Sequence, residues 1–267
     1  MKYFFNAITP PLFKQLVRRF TGSWQGNYQK WEDAAAEGEG YDTPEILYKV
    51  KEALLQVKEG KALFERDSVL FYSENFNYPL LASLLFVANK EKSNLHVVDF
   101  GGSLGSTYFQ NRKVLREINN ISWSVVEQEE FVSCGKEYFE DEKLKFYRTV
   151  ENCLMHSEAQ TLLLSSVIQY IPDPLALIKQ LLDKKFKYII IDRTPFFNDR
   201  PDRITLQTVP TCIYKASYPC RIFNKPKFLD HFLNEYDVTF SYESSDVCNL
   251  NAVFEGFLLT RKDDNNE

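Results

Sequence analysis

Val97-Val98-Asp99-Phe100-Gly101-Gly102-Ser103-Leu104-Gly105-Ser106 is the stretch of sequence that decides the fold. An apolar run ends in an acidic residue, a glycine-rich segment follows, and residues 106–118 have the spacing of a helix. A strand, a glycine-rich turn and a helix are typical of the first βα unit of a doubly wound sheet, where a ligand binds. Glycine lets the backbone approach a ligand closely, and the helix start adds unpaired N–H groups. We call residues 99–105 the glycine loop.

The rest of the chain repeats this pattern of apolar runs and amphipathic helices. Strands are predicted at 95–100, 123–127, 144–147, 161–166 and 187–192, with helices at 106–118, 129–139 and 174–183. A helix at 226–236 and two strands at 238–242 and 254–260 complete the series. The sequence therefore predicts an α/β fold: a doubly wound (Rossmann-like), mostly parallel sheet closed by an antiparallel strand pair, with a helical N-terminal extension.

Three regions follow from this pattern. Residues 1–90 are predicted to form a helical N-terminal extension or lid, with a helix starting at Pro44 after Thr43 and another starting at Pro79. Residues 91–262 are predicted to form the Rossmann-like domain. Three prolines interrupt the segment at about 196–223, which predicts an insertion there.

Composition and charge exclude several kinds of site. A net charge of −5 argues against a nucleic-acid partner, which needs clustered Lys and Arg. The five cysteines lack the spacing of zinc or disulfide frameworks and the three histidines lack metal-ligand spacing, so we expect no metal and reduced thiols in a cytoplasmic protein. No apolar run reaches the ~18 residues of a transmembrane helix. The basic segment at 13–20 is either a helix packed on the domain or a peripheral membrane contact.

The glycine loop discriminates between two cofactor classes. A dinucleotide fingerprint requires G-x-G-x-x-G, and Ser103 stands where its second glycine belongs. The pattern acidic-x-Gly-x-Gly-x-Gly fits better, because Asp99, Gly101 and Gly105 match it and Ser103 replaces only the middle glycine. The carboxylate of Asp99 would repel a pyrophosphate but attract the ammonium group of an amino-acid moiety. This charge argument favours S-adenosylmethionine over NAD.

Glu127 is the second candidate ligand for the cofactor. It ends the second predicted strand, 28 residues after Asp99. A carboxylate in this position can accept hydrogen bonds from both ribose hydroxyls, which serves NAD and S-adenosylmethionine alike.

On these residues the sequence resembles class I S-adenosylmethionine-dependent methyltransferases, and more narrowly a methyltransferase family encoded among bacterial surface-polysaccharide genes. The resemblance covers about residues 22–223. Its motifs are Trp24-x-Gly26-x-Tyr28 with Trp31, Gly40-Tyr41-Asp42, Phe64-Glu65-Arg66-Asp67-Ser68, the glycine loop with Ser106, Val126-Glu127-Gln128, Ser165-Ser166-Val167-Ile168-Gln169-Tyr170, Asp192-Arg193-Thr194-Pro195 and Ser217-Tyr218-Pro219. The combination is specific, whereas each motif alone is weak.

The resemblance implies a set of cofactor-binding residues. Gly101, Gly102, Ser103 and Gly105 would line the methionine and ribose of the cofactor. Glu127, followed by Gln128, would hold the ribose hydroxyls. The resemblance also implies roles for Ser165, Gln169 and Tyr170, which lie just beyond the fourth strand. In such enzymes the cofactor sulfonium and the acceptor come together there.

The catalytic residues are predicted on the fifth strand. Methyl transfer is an in-line displacement that depends on positioning, and a hydroxyl acceptor also needs a base. Asp192 ends the fifth strand and is the candidate base, while Arg193 would orient an anionic or polyhydroxyl acceptor. Alternatively, the two residues cap the following turn or pair with each other. The aromatic residues Trp24, Tyr28, Trp31 and Tyr41 form either a lid or acceptor wall, or ordinary core.

The leading hypothesis is a methyltransferase that O-methylates a sugar in a surface polysaccharide or its precursor, with a saccharide or other small hydroxyl compound as acceptor. A nucleotide-sugar or NAD-linked oxidoreductase is the first alternative. It should show Tyr-x-x-x-Lys after the fourth strand, whereas Tyr170 is followed at this spacing by Pro174. A non-catalytic cofactor-binding protein is the second alternative.

Overall fold

The computed structural model describes residues 23–40, 44–73, 76–210 and 216–262. The basic segment at 13–20, Tyr41 and Cys212 lie outside these residues, so the predictions made for them remain predictions.

The described chain begins with strand β1 and a group of helices and short strands. These are β1 (Ser23–Tyr28), α1 (Trp31–Glu37), α2 (Pro44–Lys58), β2 (Phe64–Arg66), β3 (Val69–Phe71) and α3 (Tyr78–Lys90). The βα units follow as β4 (Asn94–Phe100), α4 (Ser106–Leu115), β5 (Asn120–Val126), α5 (Glu129–Tyr138), β6 (Leu144–Tyr147), α6 (Val150–Leu154), β7 (Thr161–Ser165), α7 (Pro174–Leu182) and β8 (Tyr188–Phe197). The chain then forms β9 (Arg203–Thr208), β10 (Ser217–Asn224), α8 (Lys225–Asp230), β11 (Tyr236–Val247) and β12 (Val253–Arg261).

One large sheet organises the molecule. Strands β6, β5, β4, β7 and β8 are adjacent and parallel in this order. Strand β12 pairs antiparallel with β8 on one side and with β11 on the other. The strand order reverses between β4 and β7, which is the position where open α/β sheets form a ligand crevice. The predicted doubly wound, mostly parallel sheet with an antiparallel strand pair is confirmed.

Two apolar cores cover the two faces of this sheet. Because successive side chains of a strand point to opposite faces, Val97 packs in one core and Val98 in the other. The first core holds side chains of helices α2, α3, α4 and α5, and it includes the fully buried Trp123. The second core holds side chains of α6, α7 and α8. Helices on both faces leave the carboxyl ends of the parallel strands exposed along one edge.

The segment before β4 also contributes strands, which the sequence pattern does not indicate. Strand β1 pairs antiparallel with β9, and β2 forms a separate hairpin with β3. Three consecutive residues of β1 are exposed, so it lacks the apolar run of a central strand. The hairpin turns at Asp67 and Ser68, both with positive φ, without the glycine that marks such a turn in a sequence.

The region around 196–223 extends the sheet. Strand β8 continues five residues beyond its predicted end at Asp192, and its last residues pair with β10. Strands β9 and β10 pair antiparallel, so β10, β9 and β1 add three strands to the sheet. Helix α8 ends at Asp230, earlier than the predicted boundary, and β11 begins at Tyr236.

Candidate functional site

A cavity of about 860 Å³ lies at the carboxyl ends of the parallel strands. The glycine loop, the ends of β5, β7 and β8, and the β2–β3 hairpin border it on the sheet side. Side chains of β1, β10 and β12 border it opposite the loop. Of the predicted site residues, Asp99, Gly101, Gly102, Ser103, Glu127, Gln128, Ser165, Tyr170, Asp192 and Arg193 line this cavity. Gly105 and Gln169 belong to its supporting structure.

The glycine loop leaves no room for side chains at its first two glycines. Gly101 has a φ of +71°, and a Cβ built on it would lie 2.3 Å from Cγ2 of Val167. A Cβ on Gly102 would lie 2.5 Å from the carboxyl group of Asp99. The N–H of Gly101 donates to the carbonyl of Val126, which ties the loop to β5 at 2.9 Å. The backbone itself therefore forms this wall of the cavity.

Asp99 supports the loop from below. Its carboxyl group is almost fully buried and accepts a hydrogen bond of 2.9 Å from Nε1 of Trp123. Burial, with a smaller contribution from the nearby carboxylate of Glu127, raises the pKa of Asp99 to about 7, although the hydrogen bond from Trp123 acts in the opposite direction. A positively charged group bound beside the loop would favour the ionised form of Asp99.

The raised pKa of Asp99 predicts a stability that falls with pH. Its unfolded value of 3.8 lies below its folded value of about 7, so between these values the native state binds more protons. The contribution of Asp99 to stability is greatest below pH 3.8, decreases by about 1.4 kcal/mol per pH unit between the two pKa values, and levels off above about pH 7. In urea unfolding between pH 5 and 8, Asp99→Asn should show a shallower decrease than the wild type. If the unfolding free energy of the two proteins decreased equally with pH, Asp99 would not be the group responsible.

Glu127 lies directly after β5 and contacts the glycine loop. One carboxylate oxygen accepts the N–H of Ser103 at 3.2 Å, and the other accepts the N–H of Gln128 at 2.9 Å. Gln128 is exposed and precedes the first residue of α5. The hydroxyl of Ser103 is buried and has no hydrogen-bond partner in the described structure. A buried hydroxyl without a partner beside a cavity is a candidate ligand contact, because burial without a partner is costly.

The loop after β7 connects two strand ends. Gln169 is fully buried and donates to the carbonyl of Arg193 at 3.1 Å and to the hydroxyl of Ser166 at 3.2 Å. The Tyr170 hydroxyl donates to Gln207 on β9 at 3.0 Å, and its ring lies edge-on to that of Tyr218. Gln169 thus positions the loop after β7, whereas Tyr170 forms part of the cavity wall.

Asp192 is the centre of a buried hydrogen-bond network. Its carboxylate accepts bonds from Nδ2 of Asn77 at 3.0 and 3.2 Å, from the Ser165 hydroxyl at 2.8 Å and from the Tyr242 hydroxyl at 3.0 Å. Burial raises the pKa of Asp192, while the charge of Arg193 and these hydrogen bonds oppose the increase. The network joins α3, β7 and β11 to the end of the fifth parallel strand.

Arg193 forms ion pairs with two aspartates. Its guanidinium donates to both carboxylate oxygens of Asp246 at 3.0 and 3.1 Å and to Asp67 at 3.4 Å. These carboxylates raise the pKa of Arg193, although its burial alone would lower it. Ser103 and Ser166 follow β4 and β7, Arg193 lies within β8 just after its pairing with β7 ends, and all three have positive φ. Such backbone strain costs about 1–3 kcal/mol per residue and is concentrated at functional sites.

Several residues of the site were not among the predicted ligands. Asn77 and Asp246 line the cavity and Tyr242 contacts Asp192, and none of the three carries a local sequence signal, because they reach the site only through tertiary packing. Glu65 and Arg66 belong to a motif of the family resemblance without an assigned role. Glu65 is buried, accepts the Ser106 hydroxyl at the first residue of α4, and has its pKa raised to about 7 by burial.

Aromatic side chains form the wall opposite the glycine loop. Trp24, Trp31, Tyr170, Tyr218 and Phe254 line the cavity. The rings of Trp24 and Phe254 lie 6.1 Å apart in an edge-on arrangement. In contrast, Tyr28 points its hydroxyl to Glu37, away from the lining. Of the N-terminal aromatic residues, Trp24 and Trp31 therefore line the cavity together with rings of β10 and β12, and Trp24 also packs in a buried cluster with Cys220 and Phe254.

The histidines lie outside the cavity lining. Nδ1 of His96 is 2.6 Å from the Ser122 hydroxyl, and His156 and His231 are exposed. Within the described ranges, no group of three or more His, Cys, Asp or Glu residues is suited to hold a metal ion. None of the helices in the described part of the chain combines the length and apolar character needed to cross a bilayer.

Comparison with known proteins gives only distant similarities. No family model matches the chain, and no curated protein matches it. Among solved structures, the 1,6-didemethyltoxoflavin-N1-methyltransferase of Burkholderia thailandensis, with bound 1,6-didemethyltoxoflavin and S-adenosylhomocysteine, is 11% identical to this chain. The match covers 85% of this chain and 95% of that chain, with a TM-score of 0.45. The N-terminal domain of EvdMO1, with S-adenosylhomocysteine and D-fucose, is 15% identical, with 80% and 97% covered and a TM-score of 0.46.

The magnesium protoporphyrin IX methyltransferase of Synechocystis PCC 6803, with bound S-adenosylmethionine, is 11% identical, with 69% of this chain and 79% of that chain covered and a TM-score of 0.45. All three TM-scores lie below 0.5, and similarities of this size identify neither a ligand nor a reaction for this chain.

Proposed function

We propose that this protein is an S-adenosylmethionine-dependent methyltransferase. The observation that carries the proposal is that the glycine loop and the carboxylate of Glu127, on neighbouring strand ends, line the same cavity. At about 860 Å³, this cavity has the size of small-molecule and cofactor sites and can hold a nucleoside cofactor together with a small acceptor.

The residues present fit this cofactor. The Cβ positions of Gly101 and Gly102 are occupied by Val167 and Asp99, so a ligand can approach the loop backbone directly. The unpaired hydroxyl of Ser103 lies in the loop. A carboxylate oxygen can accept more than one hydrogen bond, so the ribose hydroxyls can add to the two backbone contacts of Glu127. Asp99 lines the cavity below the loop, where its charge favours an ammonium group over a diphosphate.

The remaining cavity residues support positioning of an acceptor. When bound, the cofactor supplies a sulfonium methyl group that an acceptor atom displaces in line. The aromatic wall offers flat apolar faces on which a sugar ring can stack, and the pairs around Arg193 offer polar contacts. We therefore propose a saccharide acceptor, with O-methylation of a sugar in a surface polysaccharide or its precursor, in the cytoplasm. Asp192 and Arg193 are the proposed catalytic residues, and their contacts support a role in holding the acceptor side of the cavity.

Asp192→Asn tests this assignment. An asparagine presents an NH₂ group to a site where Asn77, Ser165 and Tyr242 all donate, so at least one donor loses its acceptor. We expect a loss of about 1–3 kcal/mol in unfolding free energy. Turnover should fall by about 100-fold or more, because both positioning and any proton transfer are impaired. Affinity for S-adenosylhomocysteine should be unchanged.

The control for this experiment is Asp230→Asn, at an exposed position on α8 outside the cavity. It should keep both stability and turnover. Full activity of Asp192→Asn would remove Asp192 from the catalytic residues.

The proposed reaction is tested by turnover with candidate acceptors. The purified protein is incubated with S-adenosylmethionine and a panel of free sugars, sugar nucleotides and oligosaccharides, and S-adenosylhomocysteine release is measured by mass spectrometry. We expect release that depends on a saccharide and a matching gain of 14 Da in that saccharide, the mass of one added CH₂. Binding of the cofactor without release for any acceptor class would support a non-catalytic binding protein instead.

A further inference from the structure

We propose that Arg66 is an anion-binding residue of the cavity, where its guanidinium holds a carboxylate or phosphate group of a bound ligand. The inference deepens the proposed function, and it rests on that function where the anion is supplied by the cofactor. The anion is either the amino-acid carboxylate of the cofactor or an anionic group on the acceptor.

The contacts of Arg66 differ from those of the neighbouring Arg193. Arg66 ends β2 and lines the cavity, yet it makes no ion pair or side-chain hydrogen bond within the described structure. Arg193 binds both nearby carboxylates, at Asp246 and Asp67. Three carboxylates act electrostatically on Arg66: Asp246 and Asp67, which pair with Arg193, and Asp192, which accepts hydrogen bonds from neutral side chains.

Partial burial makes it costly for Arg66 to lack a hydrogen-bonded anion. Arg66 is half-buried, and burial together with the positive charge of Arg193 lowers its pKa, although the carboxylates of Asp246, Asp67 and Asp192 act in the opposite direction. Removing a guanidinium from water is unfavourable unless an anion and hydrogen-bond acceptors compensate for it. Arginine also presents several N–H donors in a fork that matches the oxygens of a carboxylate or phosphate. A ligand anion would provide this compensation.

The hairpin holds Arg66 in a fixed position at the cavity. The adjacent Glu65 accepts the Ser106 hydroxyl at the start of α4 and the N–H of Ser68. The rings of Phe64 and Phe71 stack across the two strands with centroids 4.5 Å apart. Because Glu65 is tied to the helix that follows the glycine loop, Arg66 lies on the same rigid support as the proposed cofactor site.

The first experiment asks whether the anion belongs to the cofactor. Binding of S-adenosylhomocysteine and of 5′-methylthioadenosine, which lacks the amino-acid portion, is measured by calorimetry for the wild type and for Arg66→Gln. If Arg66 binds the cofactor carboxylate, the substitution should weaken S-adenosylhomocysteine binding by about 10- to 100-fold, the range for hydrogen bonds to charged groups. Binding of 5′-methylthioadenosine should be unchanged.

The second experiment asks whether the anion belongs to the acceptor. UDP-glucose, glucuronic acid and glucose are titrated into the protein with and without S-adenosylhomocysteine. If the acceptor carries the anion, the wild type should bind a charged probe more tightly than glucose. Arg66→Gln should weaken that binding by about tenfold or more, with S-adenosylhomocysteine affinity unchanged. Arg66→Lys, which keeps the charge without the fork, should retain part of the affinity in either case.

The control is Arg116→Gln, since Arg116 is exposed outside the cavity and pairs with Glu117 on the surface. It should bind every probe as the wild type does. The proposal is overturned if Arg66→Gln changes neither S-adenosylhomocysteine binding nor the binding of any charged probe, or if the wild type binds no anionic compound. The wild type could also fail to bind S-adenosylhomocysteine but bind a charged sugar that Arg66→Gln does not bind. This result would reject the proposed cofactor but retain the anion site.

Discussion

Gly101→Ala is expected to weaken S-adenosylhomocysteine binding strongly and to destabilise the protein. A methyl group at this position would lie 2.3 Å from Val167, so either the glycine loop or the segment after β7 must move. The positive φ of +71° adds about 1–2 kcal/mol of backbone strain, and overpacking adds about 1–3 kcal/mol. We expect a total loss of about 2–5 kcal/mol in unfolding free energy and a decrease of roughly 100-fold in affinity, measured by urea unfolding and calorimetry.

Gly60→Ala separates the backbone effect from the effect on the site. Gly60 has a similar φ of +75°, but a Cβ there would meet no atom within 4 Å, and the residue lies outside the main cavity. This variant should lose about 1–2 kcal/mol of stability and bind S-adenosylhomocysteine as the wild type does. If Gly101→Ala behaved like Gly60→Ala in both measurements, the glycine loop would not be the binding site.

Glu127→Ala is expected to weaken S-adenosylhomocysteine binding by about 1–3 kcal/mol, which corresponds to about 5- to 150-fold. The substitution removes the carboxylate proposed to accept the ribose hydroxyls. It also leaves the N–H groups of Ser103 and Gln128 without this acceptor, which loosens the glycine loop. Calorimetry on the folded variant, with folding checked by circular dichroism, provides the measurement.

The matched control for Glu127 is Glu130→Ala, an exposed glutamate in the first turn of α5 that does not line the cavity. Both variants lose one negative charge near the end of β5. A difference in their affinity for S-adenosylhomocysteine therefore reports the direct contact of Glu127 with the ligand and the glycine loop. An affinity of Glu127→Ala equal to that of Glu130→Ala would remove Glu127 from the proposed site.

The strands around the site could be predicted because their signals are local. The apolar run before Asp99 identifies β4, and Gly101 with Gly102 marks the turn that a side chain would block. Parallel strands buried on both faces form continuous apolar runs, so their positions along the chain could be predicted from the sequence. In contrast, β1 pairs with β9 about 180 residues later in the sequence, and its exposed residues give no strand pattern.

The partners of the site residues could not be predicted from the sequence. Asp192 does not end its strand, because β8 runs on to Phe197, but it is the last residue of β8 that pairs with β7. Its partners Asn77, just before α3, and Tyr242, on β11, come from distant parts of the sequence. The sequence also could not indicate that Arg193 pairs with Asp246, while Arg66 makes no hydrogen bond or ion pair with the residues that the structure describes. Side-chain networks of this kind depend on which elements meet in space, and spacing along the chain carries no information about such contacts.

The most direct test of the proposed function is calorimetry of the purified wild-type protein with S-adenosylhomocysteine and, separately, with NAD. The glycine loop, the buried Asp99 and the carboxylate of Glu127 together predict binding of S-adenosylhomocysteine with a Kd of about 1–100 μM, or about 5.5–8 kcal/mol, and no binding of NAD. Binding of NAD without S-adenosylhomocysteine would contradict the proposed cofactor and the reaction derived from it.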